Sequence, residues 1–249
     1  MGYFGNIVPL KRISAVALLA GLLAVSCGKL EPKGDILSKD IKVEDFTKIE
    51  LSGQFRAFYA KADSSFVNIE TYENLAGNIK LSSKDNILRI TEKRVPAAVD
   101  FYNITIYSRN EPTEVTLAQN VELNISSEIK GDRFDLTITD DAKFIGSVRS
   151  RMSSVTMNKK ARANFLGVSK KADIKLSDTA SIIAPYWQIN TANLLVKNGS
   201  YAELQVQDSL KGKVENTAKL VYYEEPVQAL SIERTSTVQH ENIEELKLP

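Results

Sequence analysis

A small residue returns every 18 to 20 positions through the second half of this chain: Ala142, Ala161, Ala180, Ser200 and Ala218, at intervals of 19, 19, 20 and 18. Self-similarity at a nearly fixed period is the mark of a solenoid, whose repeats bury their apolar faces only against their neighbours. Four residues before each small position stand Ile138, Met157, Leu176, Val196 and Val214, and two residues earlier stand Leu136, Val155, Ile174 and Leu194. Two places after it come Phe144, Ala163, Ile182, Ala202 and Leu220, and four places after it Gly146, Phe165, Ala184, Leu204 and Tyr222. The positions between are mostly polar. Period-two alternation on both sides of a turn makes each repeat two short strands with one face buried, and it excludes a helix as the repeating element. The leucine and asparagine spacing of a leucine-rich repeat is absent.

The expected fold class is therefore all-β, a single-stranded parallel β-helix or β-solenoid with roughly 19–20 residues per coil. Equivalent residues of stacked coils form ladders about 4.8 Å apart. Phe144 with Gly146 then faces Ala163 with Phe165, a large-small exchange that fills a narrow interior without overpacking. Two residues before the small position the sequence runs Asp140, Lys159, Asp178, Asn198, Asn216. Stacked, the first three alternate in sign, and the two asparagines can share amide hydrogen bonds. Exposed pairs of this kind contribute only about 0.2 to 1 kcal/mol each, so they tune register more than stability.

Upstream the rhythm loosens. VTLAQNVELN, from Val115, fits as an earlier coil, and IELSGQFRAF, from Ile49, alternates around Ser52 and Gly53. Between them lie strand signals at Ser65–Lys93, interrupted by a short helical or turn segment at YENLAGNI, and a further strand at Val99–Arg109. The reading is one elongated body over 45–236, its first part (45–110) less regular, its regular coils over 111–236, and a polar tail over 237–249.

The front of the chain has the order of an export signal: Lys11 and Arg12, an uncharged apolar run from Ile13 to Val25, then Ser26 and the single cysteine, Cys27. The run is short for a membrane span. LAVSC resembles a bacterial lipoprotein signal, with Ala24 where leucine is commoner. Residues 1–26 then read as signal peptide, Cys27 as the lipidated mature N-terminus and 27–44 as a tether. The competing reading is an ordinary secretory signal with an incidental cysteine. A lone thiol makes no internal disulfide, whereas the several acyl chains of a lipoprotein cysteine hold a protein firmly to a membrane.

FTKIELSGQFRAFYAK (Phe46–Lys61), FVNIETYENLAGNIKLSSKDNILRITEK (Phe66–Lys93) and VENTAKLVYYEEP (Val214–Pro226) together resemble the putative auto-transporter adhesin, head GIN domain family. The resemblance spans about Asp45 to Ser236 and implies a β-helical cell-envelope protein, often a lipoprotein of the outer membrane, exposed to the periplasm or the surface. Members commonly carry Val-Ser-Gly-Ala-Gly at their turns. Here those turns read TDDA, NKKA, SDTA and ENTA, so a different turn conformation is expected. The adhesin label does not follow from the fold.

Catalytic signatures are scarce. His240, the only histidine, falls in the polar tail, and no phosphate-binding loop, dinucleotide fingerprint or cysteine metal motif occurs, so no catalytic residue, metal site or cofactor is assigned. Asp140 with Asp141 and Glu224 with Glu225 are the paired carboxylates a polysaccharide-processing β-helix would need, and both read as solvated turns. The formal net charge of +1 gives no general pull toward nucleic acid, which an exported protein would not meet. Local clustering is stronger: Lys143, Arg149, Arg151, Lys159, Lys160, Arg162, Lys170, Lys171 and Lys175 are offset only by Asp173. They form a candidate patch for acidic polysaccharide, lipid headgroups or an envelope protein, against the plainer reading of lysines that protect sheet edges. Asp178-Thr179-Ala180 and Asp208-Ser209-Leu210 resemble the short O-glycosylation pattern of exported Bacteroidota proteins, with Thr179 and Ser209 as acceptors on outward turns. Tyr186 and Trp187 are the aromatics to inspect for a sugar groove. The sequence favours a non-enzymatic adhesion or interaction module held to the membrane through Cys27, with a carbohydrate-binding or polysaccharide-processing β-helix protein as the alternative.

Overall fold

A computed structural model of the chain describes residues 1–2 and 29–242, so the expected signal and Cys27 lie outside the described residues. Among the described residues, seventeen strands and one short helix follow in order: β1 (Ile36–Lys42), β2 (Lys48–Gly53), β3 (Arg56–Lys61), β4 (Phe66–Tyr72), α1 (Glu73–Ala76), β5 (Ile79–Lys84), β6 (Ile87–Glu92), β7 (Tyr102–Ser108), β8 (Glu114–Gln119) and β9 (Glu122–Ile125). The regular coils continue as β10 (Ile129–Ile138), β11 (Lys143–Met157), β12 (Arg162–Leu176), β13 (Ser181–Lys197), β14 (Tyr201–Glu215), β15 (Lys219–Tyr223), β16 (Val227–Ile232) and β17 (Thr237–His240). All seventeen join one hydrogen-bonded sheet that winds into a parallel β-solenoid of about seven turns, as the repeat predicts.

Each coil has two flanks. Along β11 the inward residues are Phe144, Gly146, Val148 and Ser150, then Ser153, Val155 and Met157. The phase of burial slips by one residue at Arg151–Met152 while pairing to β12 continues on both sides, from Lys143↔Arg162 to Met157↔Leu176. The expected pair of short strands is thus one long bent strand, because a one-residue phase slip turns the chain without breaking the ladder. We call the stretch before the bend flank B and the stretch after it flank A. Flank A stacks β6, β2, β8, β10 and the later halves of β11–β14, then β16; flank B stacks β7, β3, β9 and the earlier halves, then β15 and β17.

The four-residue turn between flanks explains the small residue. In each, the small residue's N–H returns to the carbonyl three residues back: Ala142 to Thr139, Ala161 to Asn158, Ala180 to Ser177, Ser200 to Lys197 and Ala218 to Glu215. The small side chains point inward and are at most 1% exposed. The polar residue two places before it is left-handed in each of these turns, with φ of +64° at Asp140, +59° at Lys159, +60° at Asp178, +59° at Asn198 and +50° at Asn216. Loss of the glycines has therefore not removed the positive φ that glycine would ease. The ladder predicted from sequence is present: Lys159 Nζ bonds Asp140, and Asn216 Nδ2 donates to Asn198 Oδ1 at 2.8 Å.

The interior follows the predicted exchange, Phe144 against Ala163 and Gly146 against Phe165. Aromatic rings run through it, with centroids 5.0 Å apart for Phe144–Phe165 and 4.4 Å for Phe165–Trp187. A Cβ on Gly146 would fall 2.5 Å from Ile125 Cγ1, so the large-small pattern leaves no spare volume there.

Three features go beyond the sequence pattern or depart from it. The β2–β3 coil is not the first layer: β2 lies between β6 and β8, and β3 between β7 and β9. Its core residues Ile49, Leu51, Ala57 and Tyr59 are at most 2% exposed because coils lie on both sides. The residues assigned to a tether are docked as well. Leu30 N–H donates to Val95 O at 3.1 Å, Lys33 N–H to Asn74 Oδ1 at 2.9 Å, and β1 pairs antiparallel with β4. At the far end the expected polar tail begins as a strand, β17, paired with β15.

Gly146→Val is expected to destabilise the fold by about 1–3 kcal/mol through overpacking. A lowered urea midpoint at unchanged slope would show it, and an unchanged midpoint would contradict the packing described.

Candidate functional site

The nine basic residues singled out from sequence do not share one face. Lys143, Arg149 and Arg162 point out from flank B, Lys159 and Lys160 sit in the turn, Arg151 and Lys170 at the bend, Lys171 on the flank A side of that bend and Lys175 on flank A itself. Four are already paired with acids of the preceding coil. Lys143 lies 3.4 Å from Glu122 and Arg149 3.2 Å from Glu128; Arg151 donates twice to Asp132 at 2.9 and 2.8 Å, and Lys159 pairs with Asp140. Asp140 is consequently held below the usual carboxylate pKa, chiefly by its bond to Lys159 and then by the Gln119 N–H.

A cationic face does form on flank A, from residues a linear count separates. The register places Lys171 beside Thr191, Asp173 beside Asn193 and Lys175 beside Leu195; it then places Thr191 beside Ser209, Asn193 beside Lys211 and Leu195 beside Lys213. Lys197 completes the group beside Glu215. Among the described residues, Lys171, Lys175, Lys197 and Lys211 have no acidic partner within ion-pair distance, whereas Lys213 lies 3.7 Å from Glu215. The one acid in the middle, Asp173, accepts from Asn193 Nδ2 at 3.2 Å. Two depressions flank the Lys175–Leu195 step. One of about 310 Å³ is lined by Ser154, Asp173, Lys175, Asn193 and Leu195 among others, and one of about 170 Å³ by Thr156, Asn158, Lys175, Ser177, Leu195 and Lys197 among others.

The remaining candidates fall apart from this face. Trp187 is fully buried, donating from Nε1 to Ser169 Oγ at 3.0 Å within a cluster of Ser150, Ser153 and Ser169, so it lines no groove. Tyr186 is 41% exposed on flank B, in register with Leu166. Thr179 lies in an exposed turn, its hydroxyl donating to Lys159 O at 3.1 Å. Ser209 is not on a turn: it is half-buried within β14, beside Thr191 and Val227. His240 stacks on Tyr222 with centroids 5.0 Å apart and is no frayed tail residue. Among the acid pairs, Glu224 accepts from Gln205 at 2.8 Å, and Glu225 lies 3.7 Å from His240. Among the described residues no group of three or more His, Cys, Asp or Glu side chains is placed to hold a metal.

Glu92, at the end of β6, went unnoticed in the sequence. Both its carboxylate oxygens and the Tyr102 hydroxyl are buried, the Gln54 backbone and the Tyr102 side chain being the polar groups that face the carboxylate, and a Cβ on Gly53 would fall 2.9 Å from its Cδ. Loss of water pushes its pKa up. A raised carboxyl pKa penalises the charged fold above the folded value and costs nothing once both states are protonated. Glu92→Gln should therefore raise the melting temperature at neutral pH, with the gain vanishing below the unfolded value of about 4.3. A pH-independent effect would contradict this.

The comparisons with known proteins agree with the fold. A family model described as "Putative auto-transporter adhesin, head GIN domain" matches residues 45–226. The crystal structure of a putative adhesin from Bacteroides fragilis is similar at a TM-score of 0.75 and 16% identity, over 85% of this chain and 100% of that one. One of a putative adhesin from Parabacteroides distasonis gives 0.69 at 18% identity, over 86% and 100%. A structure named a putative lipid binding protein, also from Parabacteroides distasonis, gives 0.66 at 15%, over 86% and 100%. No curated protein matches the sequence. At these identities the structures speak for the fold alone.

Proposed function

The chain belongs to the putative auto-transporter adhesin, head GIN domain family, and from that premise we propose that it is a membrane-anchored lipoprotein of the cell envelope whose solenoid is a non-enzymatic adhesion or interaction module. The observation that carries this reading is the filled interior. The inward columns from Leu136 to Leu220 are filled by side chains at most 8% exposed, apolar except for a few residues such as Ser150, Ser153, Ser169 and Ser200, so recognition falls to the outer flanks and turns.

Anchoring rests on Cys27 and on how the chain enters the fold. From Leu30 onward it is docked against Val95, Asn74 and β4, at the end of the stack closed by antiparallel strands. Cys27 stands three residues before Leu30 in the sequence. The closed end then lies against the membrane and both flanks project from it, in the outer membrane, facing periplasm or surface.

A carbohydrate-binding or polysaccharide-processing role is the second reading, favoured by the hydroxyls and amides around Lys175 on flank A.

Cys27→Ala in the full chain is expected to move the protein from the membrane to the soluble fraction; unchanged membrane association would overturn the anchor. The soluble chain from residue 28 is expected to bind a component of an array of glycans and matrix proteins and return it intact. Shortened glycan products would overturn the non-enzymatic assignment.

A further inference from the structure

We propose that flank A of coils β12–β14 is a binding site for an acidic polysaccharide lying across the coils, with Lys171, Lys175, Lys197, Lys211 and Lys213 as its cationic contacts. The inference deepens the interaction reading above and depends on it for the protein's exposure outside the cytoplasm.

The first support is that these lysines protect no edge. Lysine on an exposed strand commonly serves to block pairing with another chain. Strands β12, β13 and β14, however, have hydrogen-bonded neighbours on both sides along flank A: β11 before β12, and β16 after β14. The plain explanation of the charge therefore fails here.

The second support is the charge balance. Five lysines face two acids, Asp173 and Glu215, and Asp173 is occupied by Asn193 while Glu215 lies beside Lys213. Four ammonium groups are left without an acid, unlike Lys143, Arg149, Arg151 and Lys159, which the preceding coil neutralises. An uncompensated cationic surface on a rigid sheet offers charge complementarity to an anion at little ordering cost.

The third support is spacing and lining. Lys175, Leu195 and Lys213 occupy one column, which puts the two lysines two coils apart, about 9.6 Å at about 4.8 Å per coil. Beside that column, Ser154, Thr156, Asn158, Ser177 and Asn193 offer hydroxyl and amide groups, and Leu195 gives an apolar step between the two depressions. Repeating carboxylates, sugar hydroxyls and the C–H face of a sugar ring match these three kinds of group. A linear uronic acid polymer presents all of them at regular intervals.

The soluble chain from residue 28 is titrated with polygalacturonate across a salt series. Neutral dextran and vesicles of phosphatidylglycerol with phosphatidylcholine are the comparators. Saturable binding that weakens with salt is expected for the polymer alone. Lys175→Glu, Lys197→Glu and Lys211→Glu combined should weaken it at least about tenfold. Lys160→Glu, Arg162→Glu and Lys170→Glu, an equal charge change off flank A, should leave it nearly unchanged. The same three flank A positions changed to Gln give a milder version, and far-UV circular dichroism confirms that each variant folds.

Equal loss in both reversed variants would reduce the effect to net charge and overturn the site. So would absence of polymer binding, or binding to the anionic vesicles instead. If the array above reveals a different ligand while polygalacturonate fails, the interaction reading stands and this site does not.

Discussion

In-register stacking of one turn on the next is the constraint from which the rest of this molecule follows. It demands that the chain reverse at the same point in every coil, and the reversal places a residue other than glycine at positive φ five times running, from Asp140 to Asn216. Such a conformation costs roughly 1–2 kcal/mol for an ordinary L-residue and less for Asp or Asn. Lys159 has no such relief, and its exposed ion pair with Asp140 is worth at most about 1 kcal/mol. The side-chain ladder alone does not hold the turn. Backbone bonds from coil to coil do the larger part, such as Lys160 N–H to Asp140 O at 3.0 Å and Arg162 N–H to Ala142 O at 3.0 Å. The small inward residue allows the coils to close that tightly.

The same register governs charge. Because residues about 19 apart are neighbours, acids at Glu122, Glu128, Asp132 and Asp140 neutralise basic residues one coil later. A face with charge to spare appears only where two or three consecutive coils carry lysine at outward positions. That condition is met on flank A from Lys171 to Lys213, in the interior of the sheet. Interaction surfaces on such a scaffold are properties of columns, not of segments.

That distinction separates what was legible in the sequence from what was not. Alternation around Ala142, Ala161, Ala180, Ser200 and Ala218 was enough for the solenoid, its inward columns and the Asp140–Lys159 and Asn198–Asn216 rungs, since these depend on period alone. The cluster from Lys143 to Lys175 was real as a count and misleading as a patch, because its neutralising acids lie upstream of it and Lys197, Lys211 and Lys213 lie downstream. Placing β2–β3 between later coils needed long-range pairing that local alternation does not encode. Docking of Leu30 through β1 was hidden because a charged stretch such as LSKDIK reads as tether until its partner β4 is known. Trp187 and its serine partners show the reverse case, a polar-looking segment whose hydrogen bonds close inside the core.

Cross-coil register is open to direct chemical measurement. Lys175→Cys combined with Leu195→Cys, in a chain carrying Cys27→Ala, places two thiols on adjacent in-register strands. Their Cα separation of about 4.8 Å falls within disulfide range. Rapid intramolecular disulfide formation under mild oxidation is the predicted result, with little for Lys175→Cys combined with Asn193→Cys, two residues out of register. Preferential closure of the second pair would mean that flank A is assembled differently and that the lysine face does not exist.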